Sequence, residues 1–294
     1  MRRLFLLIAL LAGLSAWPAP VTVDVAALPA GAECAFDGLQ VRQEAELLSF
    51  TTGDYELVLD RQRNYVIKSL VAKSGGVVGL DYGQLFVVFG EDSSAGESRQ
   101  VFYEDQSSVK VTGATLTVGK HSASLLVTQT WPRLQIRKIV GFYAGEPYFR
   151  LAYHVLATGS FHCERTTLNL GTGPELLAAV AIDNGNPAWK QHQPGKWFNL
   201  PRSQADRWFA YVSAEPQPNG LAVIGADPWF WEKLPGLILG SGRKQGGFTV
   251  EMIRWRHHPT RTGDAMFFEL FLAPIQGDAV KACRDLQKRI VPGL

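Results

Sequence analysis

Cysteine is scarce in this 294-residue chain: only Cys34, Cys163 and Cys283. No two of them form a CxxC, which excludes a zinc knuckle or a thioredoxin-like redox motif. The odd number leaves at least one thiol unpaired. Histidine is sparse as well, with 6 residues, none at the spacing of a helical metal pair. Adjacent His257 and His258 would point to opposite faces of a strand, so no metal site is expected. An excess of one charge is also lacking. Of the 29 Lys+Arg, two (Arg2, Arg3) lie in the first 20 residues, leaving 27 against 27 Asp+Glu. A neutral chain is a poor electrostatic footprint for nucleic acid.

Cofactor signatures are missing too. "GATLTVGKH" begins like a phosphate loop, but Gly113 and Gly119 are one residue too far apart, and His121 stands where Ser or Thr is needed. "GSGRKQGG" (240–247) lacks dinucleotide spacing and reads as a hairpin loop. "DNGN" (183–186) reads as a turn. GxSxG and HExxH do not occur. No cofactor is therefore expected.

The chain opens "MRRLFLLIALLAGLSAWPAP". A basic start, the apolar run Leu4 to Ala16, and the breakers Pro18 and Pro20 have the layout of a secretory signal peptide over residues 1–20. The run is short for a membrane span of about 20 residues, and no later segment is apolar enough to cross. The expectation is a secreted or periplasmic chain with no membrane attachment after signal removal.

From residue 21 on, strand patterns dominate. "YELVLD" (55–60), "YVIKSLVA" (65–72), "LFVVF" (85–89), "VKVTG" (109–113), "ATLTVG" (114–119) and "SLLVTQTW" (124–131) are rich in β-branched and aromatic residues, with turn-formers between them. "LQIRKIVGFY" (134–143), "YFRLAYHVLA" (148–157), "CERTTLNLG" (163–171), "RWFAYVSA" (207–214), "GLAVIGA" (220–226), "GFTVEMIRWRH" (247–257) and "AMFFELFLAP" (265–274) continue the series. So many strands without intervening helices predict an antiparallel sandwich, not βαβ units. No composition break divides 21–294, which is expected to form one β domain. Residues 183–206 carry little pattern and are expected to be a long irregular insertion. One helix is expected at 278–290: Asp278 can cap it, and Ala279, Cys283, Leu286 and Ile290 form an apolar stripe. With Cys283 on that stripe, Cys34–Cys163 is the pair left if a disulfide exists.

Outside the leader, six of seven tryptophans fall between 189 and 255: Trp189, Trp197, Trp208, Trp229, Trp231 and Trp255. Indoles suit partly wet sites where a ring-shaped ligand stacks; capping of the sandwich is the alternative. Read as a regular strand, 248–257 puts Phe248, Val250 and Met252 on one face, with Thr249, Glu251, Ile253, Trp255 and His257 on the other. An acid, an indole and an imidazole on one face can hold a sugar hydroxyl, stack its ring and move a proton. Arg254, Arg256 and Arg261 stand nearby and can bind a carboxylate. A half-exposed strand facing water is the alternative.

"YELVLDRQRNYVIKSLVAKSGGVVGLDYG", "VTQTWPRLQIRKIVGFYAGEPYFRLAYHVLATGS" and "GDAMFFELFLAP" together resemble the opening, central and closing strands of galactose mutarotase-like β-supersandwich proteins. The resemblance implies an all-β antiparallel supersandwich, to which the residue pattern at 278–290 adds one C-terminal helix. It implies a carbohydrate as the partner. Members that epimerise aldoses use a His in a His-Thr-Tyr-Phe-Asn-Leu type strand and a late Glu. "RTTLNL" (165–170) is similar to that strand, with Arg165 at the His position, and Glu251 corresponds to the late Glu. Arg does not donate a proton near neutral pH. His162 lies on the opposite face unless a bulge intervenes. The resemblance therefore implies a secreted carbohydrate-binding protein, possibly degenerate as an enzyme. Alternatives are an aldose epimerase or polysaccharide lyase, and an envelope structural protein without a small ligand. The expected catalytic residues are Glu251 and His257; the expected binding residues are Arg165, Arg254, Trp189, Trp197 and Trp255.

Overall fold

In chain order the strands are β1 (Val21–Asp24), β2 (Glu33–Phe36), β3 (Leu39–Gln43), β4 (Leu47–Thr51), β5 (Tyr55–Asp60), β6 (Val66–Ala72), β7 (Val78–Phe89), β8 (Gln100–Tyr103), β9 (Lys110–Val118), β10 (Ser122–Trp131) and β11 (Leu134–Tyr143). They continue as β12 (Phe149–Ala157), β13 (Phe161–Thr172), β14 (Leu176–Asp183), β15 (Asn186–Gln191), β16 (Trp197–Asn199), β17 (Trp208–Ser213), β18 (Asn219–Gly225), β19 (Leu237–Gly242), β20 (Phe248–Arg254), β21 (His258–Thr260) and β22 (Ala265–Gln276). The chain closes with helix α1 (Ala279–Ile290). This computed structural model describes residues 20–91, 98–201, 203, 205–213, 219–226 and 237–292. Residues 1–19 of the expected leader, and Trp229 and Trp231, lie outside the described residues.

The strands form two sheets. One has ten strands in the order β1-β9-β10-β11-β12-β22-β18-β17-β14-β15; the other has twelve, with β16-β19-β20-β13-β7-β6-β5-β4-β3-β2 as its path and β8 and β21 attached to β7 and β13. Pairing between the named strands of both is antiparallel, as the strand pattern leads one to expect. Alternating apolar residues fill the space between the sheets: Leu57, Leu59, Ile67, Leu85, Val87, Leu168, Leu170, Val250 and Met252 from one side, Leu151, Tyr153, Phe268 and Leu270 from the other. Period two does the sorting, since only every second residue of each strand points inward.

Asp278 caps α1 by accepting the Lys281 N–H at 3.0 Å. Ala279, Cys283 and Leu286 then pack on Val180, Trp208, Ala210 and Ile224, on the outer side of the ten-stranded sheet. Trp208 is therefore a core ring. Cys163 and Cys283 are free and buried, so the Cys34–Cys163 bridge is not formed. The two positions sit six strands apart in the twelve-stranded sheet, beyond the ~7 Å Cα limit of a disulfide.

Two expectations about loops change. Residues 183–206 are not one irregular insertion: β15 and β16 arise inside it as edge strands, one on each sheet. Residues 109–119 are one strand, β9, not two.

At the centre of the sandwich lies a buried charged network. Lys138 and Glu104, both fully buried, pair at 3.1 Å. Glu104 also accepts from Leu85 N at 3.0 Å, Gln129 Nε2 at 3.0 Å and Tyr153 OH at 2.9 Å. Lys138 donates further to the Tyr65 carbonyl at 2.7 Å. Every charge is answered, as low-dielectric burial requires. The network clamps β7, β10, β11 and β12 together.

Candidate functional site

The outer face of the twelve-stranded sheet carries the polar side chains. Cross-strand partners share a face, so the register lays them out as a grid. One row runs Asn199, Leu239, Glu251, Asn169, Gln84 across β16, β19, β20, β13 and β7. The next runs Trp197, Ser241, Thr249, Gly171, Tyr82. A third holds Ile253, Thr167 and Phe86. The face is sunken: Thr167 is 0% and Glu251 8% exposed, although both point away from the second sheet.

Two bulges in the β13–β7 ladder shape this face. One lies between Cys163 and Arg165, the other between Gly171 and Thr172. Bulges re-aim side chains. The second leaves Asp81 as the extra residue of β7, beside Tyr82. The Arg243 guanidinium pairs with Asp81 and donates to the Thr172 carbonyl at 2.9 Å. It also lies 5.6 Å from the Tyr82 ring centre. Tyr82 crosses Gly171, where a Cβ would stand 2.0 Å from its ring. Its hydroxyl thereby comes within 3.3 Å of both Asn169 Oδ1 and Thr249 Oγ1. Burial pushes the Tyr82 phenol up, with Arg243 and the Thr249 bond opposing.

Beside Tyr82 is a pocket of about 340 Å³, lined among others by Asp60, Lys68, Asp81, Gln84 and Asn169. Several buried atoms on this face have no hydrogen-bond partner among the described residues: Asp81 Oδ1, Gln84 Oε1, Thr167 Oγ1 and Arg165 Nε. A buried polar atom left unanswered costs about 1–3 kcal/mol.

Arg165 and Glu251 meet on this face, with Nη1 to Oε2 at 3.2 Å. The Arg165 guanidinium lies 5.2 Å from the Phe86 ring centre. Burial raises the Glu251 carboxyl above its ordinary range, and Arg165 opposes that rise.

The remaining expected site residues are dispersed. β20 ends at Arg254, and Trp255 and His257 follow with positive φ (47° and 49°) in the turn before β21. The strand alternation that would align Glu251, Trp255 and His257 is therefore broken after Arg254. Trp255 stacks on His258 at 5.7 Å and 12° and packs against the core. The His257 N–H bonds the Glu164 carbonyl at 2.8 Å. Glu164 is five residues along β13 from Asn169, the partner of Glu251, or about 16 Å at ~3.3 Å per residue. Arg254 is 7% exposed and donates to the Phe267 carbonyl in the other sheet, so it is committed to the interior. Trp189 pairs with Val180, whose side chain faces α1, on the wrong side of the molecule. Trp197 alone among the described clustered tryptophans shares the site's face, and it is 55% exposed.

The first bulge does place His162 on the same side as Arg165, since Phe161 and Cys163 face the core. Yet His162 is seven residues from Asn169, on the order of 20 Å away. Its ring neighbours His257 at 6.4 Å instead. Tyr82 and Gln84 are not among the residues expected from the sequence. Their signal was polar residues at period two in "DYGQLF", inside an otherwise apolar strand.

No protein-family model and no curated protein matches the sequence. Among solved structures, a putative aldose 1-epimerase from Klebsiella pneumoniae aligns over 97% of this chain and 94% of its own, with TM-score 0.56 and 10% identity. A GH36 α-galactosidase, AgaB, from Geobacillus stearothermophilus aligns over 81% of this chain and 41% of its own, with TM-score 0.56 and 10% identity. A galactose mutarotase related enzyme from Lactobacillus acidophilus covers 78% of this chain and 97% of its own, with TM-score 0.49 and 6% identity. The chain thus has the galactose mutarotase-like fold. At such identities the likeness is one of fold, and fold alone does not carry an activity.

Proposed function

We propose that this chain is an exported carbohydrate-binding protein whose site is the outer face of the twelve-stranded sheet around Tyr82, Gln84, Asn169 and Glu251. The observation that carries the reading is the pocket of about 340 Å³ beside Tyr82, whose lining includes Gln84 and Asp81, each with an oxygen that has no hydrogen-bond partner among the described residues. Hydroxyl-rich rings present alternating donors and acceptors that suit such atoms. Export is proposed on the leader pattern of residues 1–20. The fold relatives, named for acting on galactosides and aldoses, support the same class of partner.

An aldose epimerase or lyase is the second reading, and one observation favours it. A carboxyl raised by burial, as at Glu251, is what an acid–base group requires. Against it, neither His257 nor His162 stands beside Glu251, and the raised Tyr82 phenol resists serving as a base. Binding without turnover is the preferred reading.

Gln84→Ala tests the site. Gln84 Oε1 has no hydrogen-bond partner among the described residues, so its removal should leave stability within about 0.5 kcal/mol of wild type. On a glycan array followed by calorimetry, binding by the intact chain should weaken at least several-fold. An unchanged glycan profile would refute this site. Mutarotation or unsaturated-uronate formation that vanishes in Glu251→Gln would establish the enzyme reading instead.

A further inference from the structure

We infer that the ligand is a neutral oligosaccharide several rings long, lying across the strands from the Tyr82 pocket to Trp197, and not a single sugar. This rests on the carbohydrate reading above and specifies its substrate class. Trp197 and Tyr82 are the two ends of one row. Trp197 pairs with Ser241, Ser241 with Thr249, Thr249 with neither end but with Gly171 between it and Tyr82. Phe198, the next residue, points the other way and meets the Phe248 ring edge-on at 5.9 Å. That contact fixes Trp197 on the outer face.

The Tyr82 ring lies along this row over Gly171, with its hydroxyl beside Thr249. Between the row's aromatic ends the residues are Ser, Thr and Gly, three of the smallest side chains. Along one flank runs the taller row of Asn199, Leu239, Glu251, Asn169 and Gln84. The Tyr82 hydroxyl reaches Thr249 on β20, two strand intervals from Trp197, or about 10 Å at ~4.8 Å each. No single pyranose ring spans that length. Trp197 leaves more than half its indole in water, at 55% exposure on a three-residue edge strand. A flat, accessible indole at the end of a polar row is a stacking platform for a sugar ring.

The charges select the ligand's character. Glu251 is matched by Arg165, and Asp81 by Arg243. Both guanidiniums are thus engaged by carboxylates of the chain itself. A uronate chain would have to displace them or rely on exposed Lys68 at the pocket, whereas a neutral one uses the remaining amide and hydroxyl groups.

The test is calorimetric titration of the intact chain with neutral glucans and galactans, each from the monosaccharide to the hexasaccharide, beside an oligogalacturonate series. Affinity should rise with length. Trp197→Ala should lower affinity for the longest neutral ligands about tenfold, as for loss of one aromatic anchor, and leave the monosaccharide unchanged. Gln84→Ala should weaken every length. Being exposed, Trp197 can be removed without loss of fold, which a thermal melt checks. Affinity that is independent of length, or unaffected by Trp197→Ala while still sensitive to Gln84→Ala, overturns the extended ligand and leaves the carbohydrate site standing. Preference for the uronate series overturns the neutral assignment. No binding of any series overturns both.

Discussion

Lys138→Met removes one half of the fully buried ion pair and keeps the volume of the side chain. Glu104 would then retain three donors, Leu85 N–H, Gln129 and Tyr153, but no counter-charge. The Tyr65 carbonyl would lose its only described donor from Lys138. Burial pushes the Lys138 ammonium down while Glu104 draws it back up, so the two charges depend on each other. Breaking such a pair costs about 3–5 kcal/mol. For a domain of this size that is a fall in Tm on the order of 10 °C. Adding Glu104→Gln restores neutrality, so the double variant should be less destabilised than the sum of the single variants by about 1–3 kcal/mol. Urea unfolding, read as a shift in midpoint at constant slope, measures all three variants. A loss below about 1 kcal/mol in Lys138→Met, or strict additivity in the double variant, would refute the reasoning.

Glu251→Gln should change the pH profile of stability. The folded carboxyl sits above its ordinary value of 4.5 because burial disfavours its charge. Between that value and the folded one, the folded state holds a proton the unfolded chain has released, so stability falls as pH rises. The variant should lack that fall, and parallel curves through the weakly acidic range would contradict it. Trp255→Ala should lower stability by roughly half of the ~3–5 kcal/mol of a fully buried ring, because Trp255 packs against the core. Its glycan affinity should be unchanged; a loss of affinity at unaltered Tm would restore Trp255 to the site.

What was legible in the sequence was whatever depends on neighbours a few residues apart. Period-two alternation in "YELVLD" and "FRLAYHVLA" reports a strand with one face inward, and the strands appear there. Asp278 followed by the stripe of Ala279, Cys283 and Leu286 is local helix chemistry, and the helix starts one residue after its cap. The Arg165 and Glu251 pairing was reached through resemblance to a known strand pattern. The dispersal of Trp255 and His257 was not legible, because alternation can be read only while a strand lasts. β20 stops at Arg254, where two positive-φ residues turn the chain.

The composition of this chain, its run of strands and its capped helix are determined by sequence alone, since each rests on local conformational preference or on residue counts. Tertiary structure alone decided which strands became neighbours. Register set Trp197, Thr249 and Tyr82 in one row from segments far apart in the chain. Bulges at Glu164 and Asp81 shifted the faces of β13 and β7, and Gly171 gave Tyr82 room to cross its strand. These are contacts between distant segments, and their energies come from shared burial, which no short window of residues contains.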